Sequence, residues 1–297
     1  MNIQGVEIED TYAEAFPMTA TRGIITAASA SWAMTAAREA TGYASSVIGC
    51  DAEAGVESPV EAEATPDRRP GVSVLFFAFG RERLEKAVVN RVGQCVLTCA
   101  TTAMYNGLAA GEKTISVGGQ LRFFGDGHQI SKQLGDRRFW RIPCMDGEFT
   151  CEDVFGTTKA VAGGNFLILA ESQRAGLVAA EAAVAAIAPI RDVALPFPGG
   201  IVRSGSKIGS KYKTLKASTN DAYCPTLRGS VKSALPEGVH AVYEIVIDGL
   251  SEEAVAQATR AGILAACREG VVRISAGNYG GKLGPYHFHL HKVLAGV

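Results

Sequence analysis

Two stretches of this chain read alike: residues 24–40, IITAASASWAMTAAREA, and residues 167–183, LILAESQRAGLVAAEAA. Each begins with a short apolar run, meets a serine, and continues as an alanine-rich segment with helical spacing. A short apolar run bounded by a polar residue suits a buried strand, and serine is a preferred opening residue of a helix. The pattern therefore predicts a strand over 22–28, a helix opened by Ser29 or Ser31 through Thr41, and Gly42 as its stop. The second copy predicts a strand over 165–171 and a helix over 174–187.

Working outward, the same order continues in both halves. Residues 45–50 read as a strand, a polar acidic loop ends in PDRRPG, 72–79 (VSVLFFAF) is a buried strand, 81–106 is helical and 114–124 is a strand. In the second half a short strand opens at 192–195 and another spans 240–247 (HAVYEIVI). Ser251 caps a helix with Glu252 and Glu253 in its first turn, and 271–275 is the closing strand. A split β-α-β unit made twice is the ferredoxin-like arrangement. The predicted fold class is α+β: two ferredoxin-like lobes from an internal duplication, joined by a β-rich bridge. The lobes are residues 1–138 and 163–297, and the bridge, with Trp140, Ile142 and Phe149, is 139–162.

The chain has 297 residues, 47% hydrophobic and 20% charged, with a formal net charge of −1. That balance gives no global electrostatic case for nucleic acid or an acidic membrane surface. The N-terminal MNIQGVEIEDTY lacks the basic and apolar parts of a secretory signal, and no apolar run reaches membrane-spanning length. Seven cysteines, an odd number without any C-x-x-C, fit a reducing cytoplasm.

The two halves differ in one place. The middle loop of the first is short and acidic. That of the second, an insertion over 196–238, contains PFPGGIVRSGSKIGSKYKTLKASTNDAYCP, in which Lys207, Lys211, Lys213 and Lys216 alternate with hydroxyl side chains and glycines. A long irregular connection in a compact domain is usually functional or disordered. The mixture suits a polar, anionic ligand, although Gly205–Lys211 lacks the spacing of a Walker A loop. Any single lysine here reads equally well as surface charge. Ser218, Thr219, Asn220 and Asp221 suit hydrogen-bonded turns.

Glu244 lies mid-strand in VYEIVI. If it is desolvated, its pKa rises and it can hold a proton near neutrality; if that strand face is wet, Glu244 simply points to water while Tyr243 and Ile245 face inward. GGNF (163–166, with Asn165) and GNYGG (277–281) read as sharp Gly/Asn/aromatic corners. His287, His289 and His291 alternate and would share one face of a strand, but no acidic or thiol ligand follows in sequence, so no metal is assigned.

Further residues carry a resemblance: GVEIEDTYAEAF (5–16), AEAG (52–55), FFGDG (123–127), VAGGNF (161–166), AESQ (170–173), FPGGIV (197–202), SGSKIGSKY (204–212), ASTNDAYCP (217–225), VYEIVIDGL (242–250) and AGNYGGKLG with HLH. With these the chain resembles formylmethanofuran:tetrahydromethanopterin formyltransferases over its whole length. The resemblance implies formyl transfer between the amine nitrogen of a methanofuran-type carrier and N5 of tetrahydromethanopterin, with no metal or prosthetic group. It implies two ferredoxin-like lobes, a homodimer or tetramer with clefts near subunit interfaces, and Glu244 as the catalytic acid. Substrate-binding positions carry over to Lys207, Ser210, Lys211, Tyr212, Thr219, Asn220, Asp221 and Asn165. The near-neutral charge departs from acidic family members and implies a bacterial methylotroph type, one subunit of a cytoplasmic formyltransferase/hydrolase complex. Two other readings stand beside this one: a non-catalytic carrier-binding subunit of a formyl hydrolase complex, and a metal-dependent formyl hydrolase acting alone.

Overall fold

The computed structural model describes residues 1–109 and 113–296. The chain divides into two compact units, Met18–Ala160 and a second made of Met1–Pro17 with Val161–Val297. The fold class is mixed α+β.

In the 18–160 unit the elements run β1 (Tyr12–Thr26, entering from the N-terminal segment), α1 (Ala30–Thr41), β2 (Glu53–Val60), β3 (Gly71–Ala78), α2 (Arg81–Arg91) and β4 (Ala103–Asn106). β1 pairs antiparallel with β3 on one side and β4 on the other, and β2 lies outside β3, giving the order β4-β1-β3-β2. A meander of β5 (Ile130–Leu134), β6 (Arg137–Cys144) and β7 (Gly147–Glu152) extends the sheet, with β7 parallel to β4. The Ser29 hydroxyl accepts the Trp32 N–H and caps α1. Ala33, Ala36, Ala37 and Ala40 form its buried face, packed in one core with Val74, Phe76 and Leu84.

The other unit repeats the order. It runs β8 (Thr158–Ala170), α3 (Gln173–Ile187), β9 (Val193–Ala194), β10 (Ala241–Gly249), α4 (Glu252–Ala266) and β11 (Val271–Ser275), with sheet order β11-β8-β10-β9. Ser172 and Ser251 cap α3 and α4 through the N–H groups of Ala175 and Ala254. Ser172 stands in this unit where Ser29 stands in the other. Phe166, Ile168, Ile245 and Ile247 pack against the helices. At Gly163 (φ +86°) the β8–β10 register shifts, and the Gly163 N–H donates to the Asp248 carboxylate; the positive φ favours glycine, and a Cβ there would meet the Phe16 ring at 2.7 Å. A final strand, β12 (Tyr286–His289), pairs with the start of β1.

Four elements differ from expectation. Residues 45–50 form a turn, not a strand: the Gly49 and Cys50 N–H groups both return to Ser46 O, and Glu53 accepts the Val47 N–H. The 81–106 helix stops at Arg91, widens into one turn where the Leu97 N–H reaches Val92 O, and gives way to β4. Of 114–124 only Thr114–Ser116 is extended, paired with Val154–Gly156. His291 leaves the strand face because a helix begins at Leu290. His287 and His289 flank the Tyr12 ring instead, and His291 bonds Ile8 O at 2.9 Å.

Candidate active site

The alternation of β10 decides where Glu244 goes. Ile245 and Ile247 are buried in the helix-facing core, and Tyr243 packs at its edge, close beside Gly176 of α3. Glu244 therefore faces the opposite side of the sheet. That side is not bulk water. The inserted segment between β9 and β10 folds back over it, burying Leu235 and Val239 on Leu167 and Leu169. The Arg228 guanidinium clamps the return path by donating to the carbonyls of Leu235, Pro236 and Val239. Near the start of the insertion, Val202 and Glu244 exchange backbone hydrogen bonds of 2.8 and 3.0 Å. Across the other edge of β10, Glu244 is paired with Leu167. The acid's backbone is thus held from both sides.

A cavity of about 350 Å³ opens on this face. Its wall includes Glu244, Val202, Arg203, Ser204, Gly205, Asn220, Tyr223 and Cys224, with Gln173 and His240 at its edge. Glu244 is half-buried. Desolvation pushes its carboxyl up from the ordinary value of 4.5 to about 7. Among the described residues no side chain hydrogen-bonds it. At neutral pH such a group divides between acid and carboxylate, the condition suited to giving and recovering a proton.

The other expected residues fall into three places. Asn220 lines the cavity. Lys207 and Asp221 are ion-paired at 2.7 Å, at the base of a short hairpin of Lys207–Ile208 with Ala217–Ser218, and the lysine holds the Asp221 carboxyl below its usual range. Thr219 lies within 3.4 Å of Cys224 Sγ. Lys211 and Tyr212 stand exposed on that hairpin, whose Ser210 hydroxyl accepts the Tyr212 N–H. Asn165, only 6% exposed, is elsewhere in the unit: it accepts the Gly277 N–H at 2.6 Å and donates to the carbonyls of Gly163 and Gly277. It fastens together the two Gly/Asn corners seen in the sequence. Gln173 and Tyr223 lie inside stretches that carry the resemblance, and Arg203 inside the inserted loop, yet none of them is singled out there; for Arg228 and His240 neither spacing nor composition gives a signal. A larger recess of about 710 Å³ lies in the 18–160 unit, lined in part by Asn106, Arg138 and Asp153; its Glu152 carboxylate is already bonded in fork fashion to Arg137. Among the described residues no group of three or more acidic, thiol or imidazole side chains is placed to hold a metal ion, and no helix is long and apolar enough to cross a membrane.

Comparison with known proteins covers both halves. The family profile described as formylmethanofuran-tetrahydromethanopterin formyltransferase matches residues 1–144, and that described as FTR, proximal lobe, matches 147–293. The chain is 58% identical to the curated formylmethanofuran–tetrahydromethanopterin formyltransferase of Methylococcus capsulatus, over 99% of this chain and 100% of the relative. It is 55% identical to that of Methanopyrus kandleri, with the same coverage. Two solved structures superpose along nearly the whole chain. The formyltransferase from Methanosarcina barkeri does so with TM-score 0.94 and 52% identity, over 99% of this chain and 100% of the other. A chain of the formyltransferase/hydrolase complex from Methylorubrum extorquens, in complex with methylofuran, does so with TM-score 0.95 and 49% identity, over 99% and 98%.

Proposed function

The chain belongs to the formylmethanofuran–tetrahydromethanopterin formyltransferase family, and on that premise we propose that the cleft over Glu244 is where it moves a formyl group between the amine nitrogen of a methanofuran-type carrier and N5 of tetrahydromethanopterin. The observation that carries the reading is one carboxyl with a pKa raised to about 7, facing a cavity on a backbone fixed at both edges. The pterin nitrogen attacks the formyl carbon and a tetrahedral intermediate forms. Protonated Glu244 donates a hydrogen bond to the developing oxyanion and hands its proton to the departing amine. It regains a proton from the attacking nitrogen as that N–H is lost, so no net proton is consumed.

Asn220 on the cavity wall is placed to orient a carrier. Lys211, with Ser210, Tyr212 and Thr219 on and beside the hairpin, offers donors to the polar parts of the carriers at the rim. Lys207 and Asp221 act as a pair that shapes the hairpin base, and Asn165, elsewhere in the unit, ties the 163 and 277 corners together.

The identical strand orders, β4-β1-β3-β2 and β11-β8-β10-β9, support two ferredoxin-like lobes descended from one duplicated unit. The chain works in the cytoplasm on its two carriers without a prosthetic group, as a homo-oligomer, dimer or tetramer, and with other subunits of a formyltransferase/hydrolase complex. The neighbour solved within such a complex with methylofuran supports that placement. Assaying the isolated chain with both carriers is the test: transfer at steady state supports the enzyme, and a carrier-presenting subunit would give none.

A further inference from the structure

The mechanism leaves one buried acid unused. Glu14, on β1, is 0% exposed. An isolated carboxylate in such a place is costly unless hydrogen-bonded. Here it accepts the Leu283 N–H at 2.8 Å and the Tyr279 N–H. Burial alone would raise its pKa, but these N–H groups outweigh it and hold Glu14 below the ordinary carboxyl value. An ionised carboxylate is acceptor-only, which matches the two backbone N–H groups that converge on it, one on each oxygen.

The loop that Glu14 holds is fastened elsewhere too. Asn165 grips Gly277, and Gly284 lies so close to β1 that a Cβ there would meet Ala15 O at 2.1 Å. Between these points Tyr279 reaches out, and its hydroxyl donates to Ser206 O at 3.0 Å. Ser206 directly follows Arg203, Ser204 and Gly205, which form one wall of the Glu244 cleft. Burial, then the charge of Glu244, raises the Tyr279 phenol, so the ring stands within electrostatic reach of the acid.

We propose that Glu14 is a positioning residue for formyl transfer: its buried carboxylate fixes the 277–283 loop so that Tyr279 holds Ser206, and with it the 203–205 wall of the cleft. This rests on the assignment of that cleft as the reaction site. The test is steady-state kinetics of the full-length chain in its native assembly, comparing Glu14→Gln, Tyr279→Phe and the double variant. Gln keeps the size of Glu14 but turns an NH₂ toward backbone donors; Phe removes only the hydroxyl. Each single change is expected to raise KM for at least one carrier about five- to tenfold, with kcat falling less than about threefold, and the double variant should be no worse than Glu14→Gln alone, because both cut one link. A KM within about twofold of the parent in folded Glu14→Gln overturns the proposal, as do effects that multiply in the double variant. A purely structural role would lower Tm and the active fraction without moving KM. Should Glu14→Gln fail to fold, Tyr279→Phe decides alone, and an unchanged KM there overturns the proposal. Full turnover in Glu244→Gln would instead sink the underlying assignment, whatever the KM values show.

Discussion

Corresponding positions in the two units carry opposite solutions to one problem. In the 18–160 unit the first strand pairs Ile24 with Ser73; in the other it pairs Leu167 with Glu244. Ile24 and Leu167 occupy the same place in the two matching stretches, so Ser73 stands where Glu244 stands. The 18–160 unit also has a carboxyl beside this position, Glu57, at an irregularity in β2. That carboxylate accepts from the Ser73 hydroxyl and is bonded in fork fashion by Arg22 at 2.6 and 2.7 Å. Its charge is matched by the Arg22 guanidinium. Glu244 has no such partner among the described residues, and its charge is conditional. One scaffold thus yields a structural ion pair or a poised acid, according to whether a cation is supplied and whether the middle loop is the ten residues of 61–70 or the long segment before β10.

The comparison can be broken at several points. Arg22→Ala strands the buried Glu57 charge, and losing one partner of a buried pair costs about 3–5 kcal/mol. Chemical denaturation should show that loss, while the KM of whatever enzyme remains folded stays at the parent value. Glu244→Gln reverses the pattern: a folded, stable chain whose turnover falls roughly 100- to 1000-fold. If that variant turns over normally, the raised carboxyl is not the acid of the reaction.

Titration sharpens the contrast. The folded pKa of Glu244 lies above the unfolded one, so the folded form keeps a proton that the unfolded chain releases. Stability is therefore greatest below pH 4.5, falls as pH rises towards 7, and levels beyond. The fall is about 3 kcal/mol at most, and denaturation midpoints across this range should lose that slope in Glu244→Gln. Activity should decline above pH 7 for the same reason. The smallest effect is expected at the rim. Lys211→Ala should raise the apparent KM a few-fold and flatten its salt dependence, the mark of an exposed charge attracting an anionic tail. Equal salt slopes in variant and parent would return Lys211 to the solvated surface.

Much of the scaffold was legible in the sequence because its signals are local. Serine caps, alanine faces and apolar strands at 72–79 and 240–247 depend on neighbours within a few residues, and they fall where they were read. The reading failed where short-range hydrogen bonds override propensity. Ser46 and Glu53 wind 45–50 into a turn, and the helix expected over 81–106 is ended by a widened turn that no propensity marks. The site divides in the same way. Glu244 stood out as a charge among apolar residues, yet whether it met water depended on an insertion whose apolar anchors, Leu235 and Val239, are too sparse to announce a packed cover. Arg203 and Tyr223 become wall residues only once that cover folds. Lys207, read as a ligand for anions, already has Asp221.

The paired amide bonds between Val202 and Glu244 bear on how substrates are received. They stitch the start of the lining directly to the residue that bears the cleft's carboxyl, with no slack residue between them. A visiting carrier cannot push that border outward without dragging the acid along. Under the proposed mechanism, selectivity and reactivity are geared to each other: a molecule of the wrong contour disturbs the very group it needs, and one of the right contour finds that group already in place.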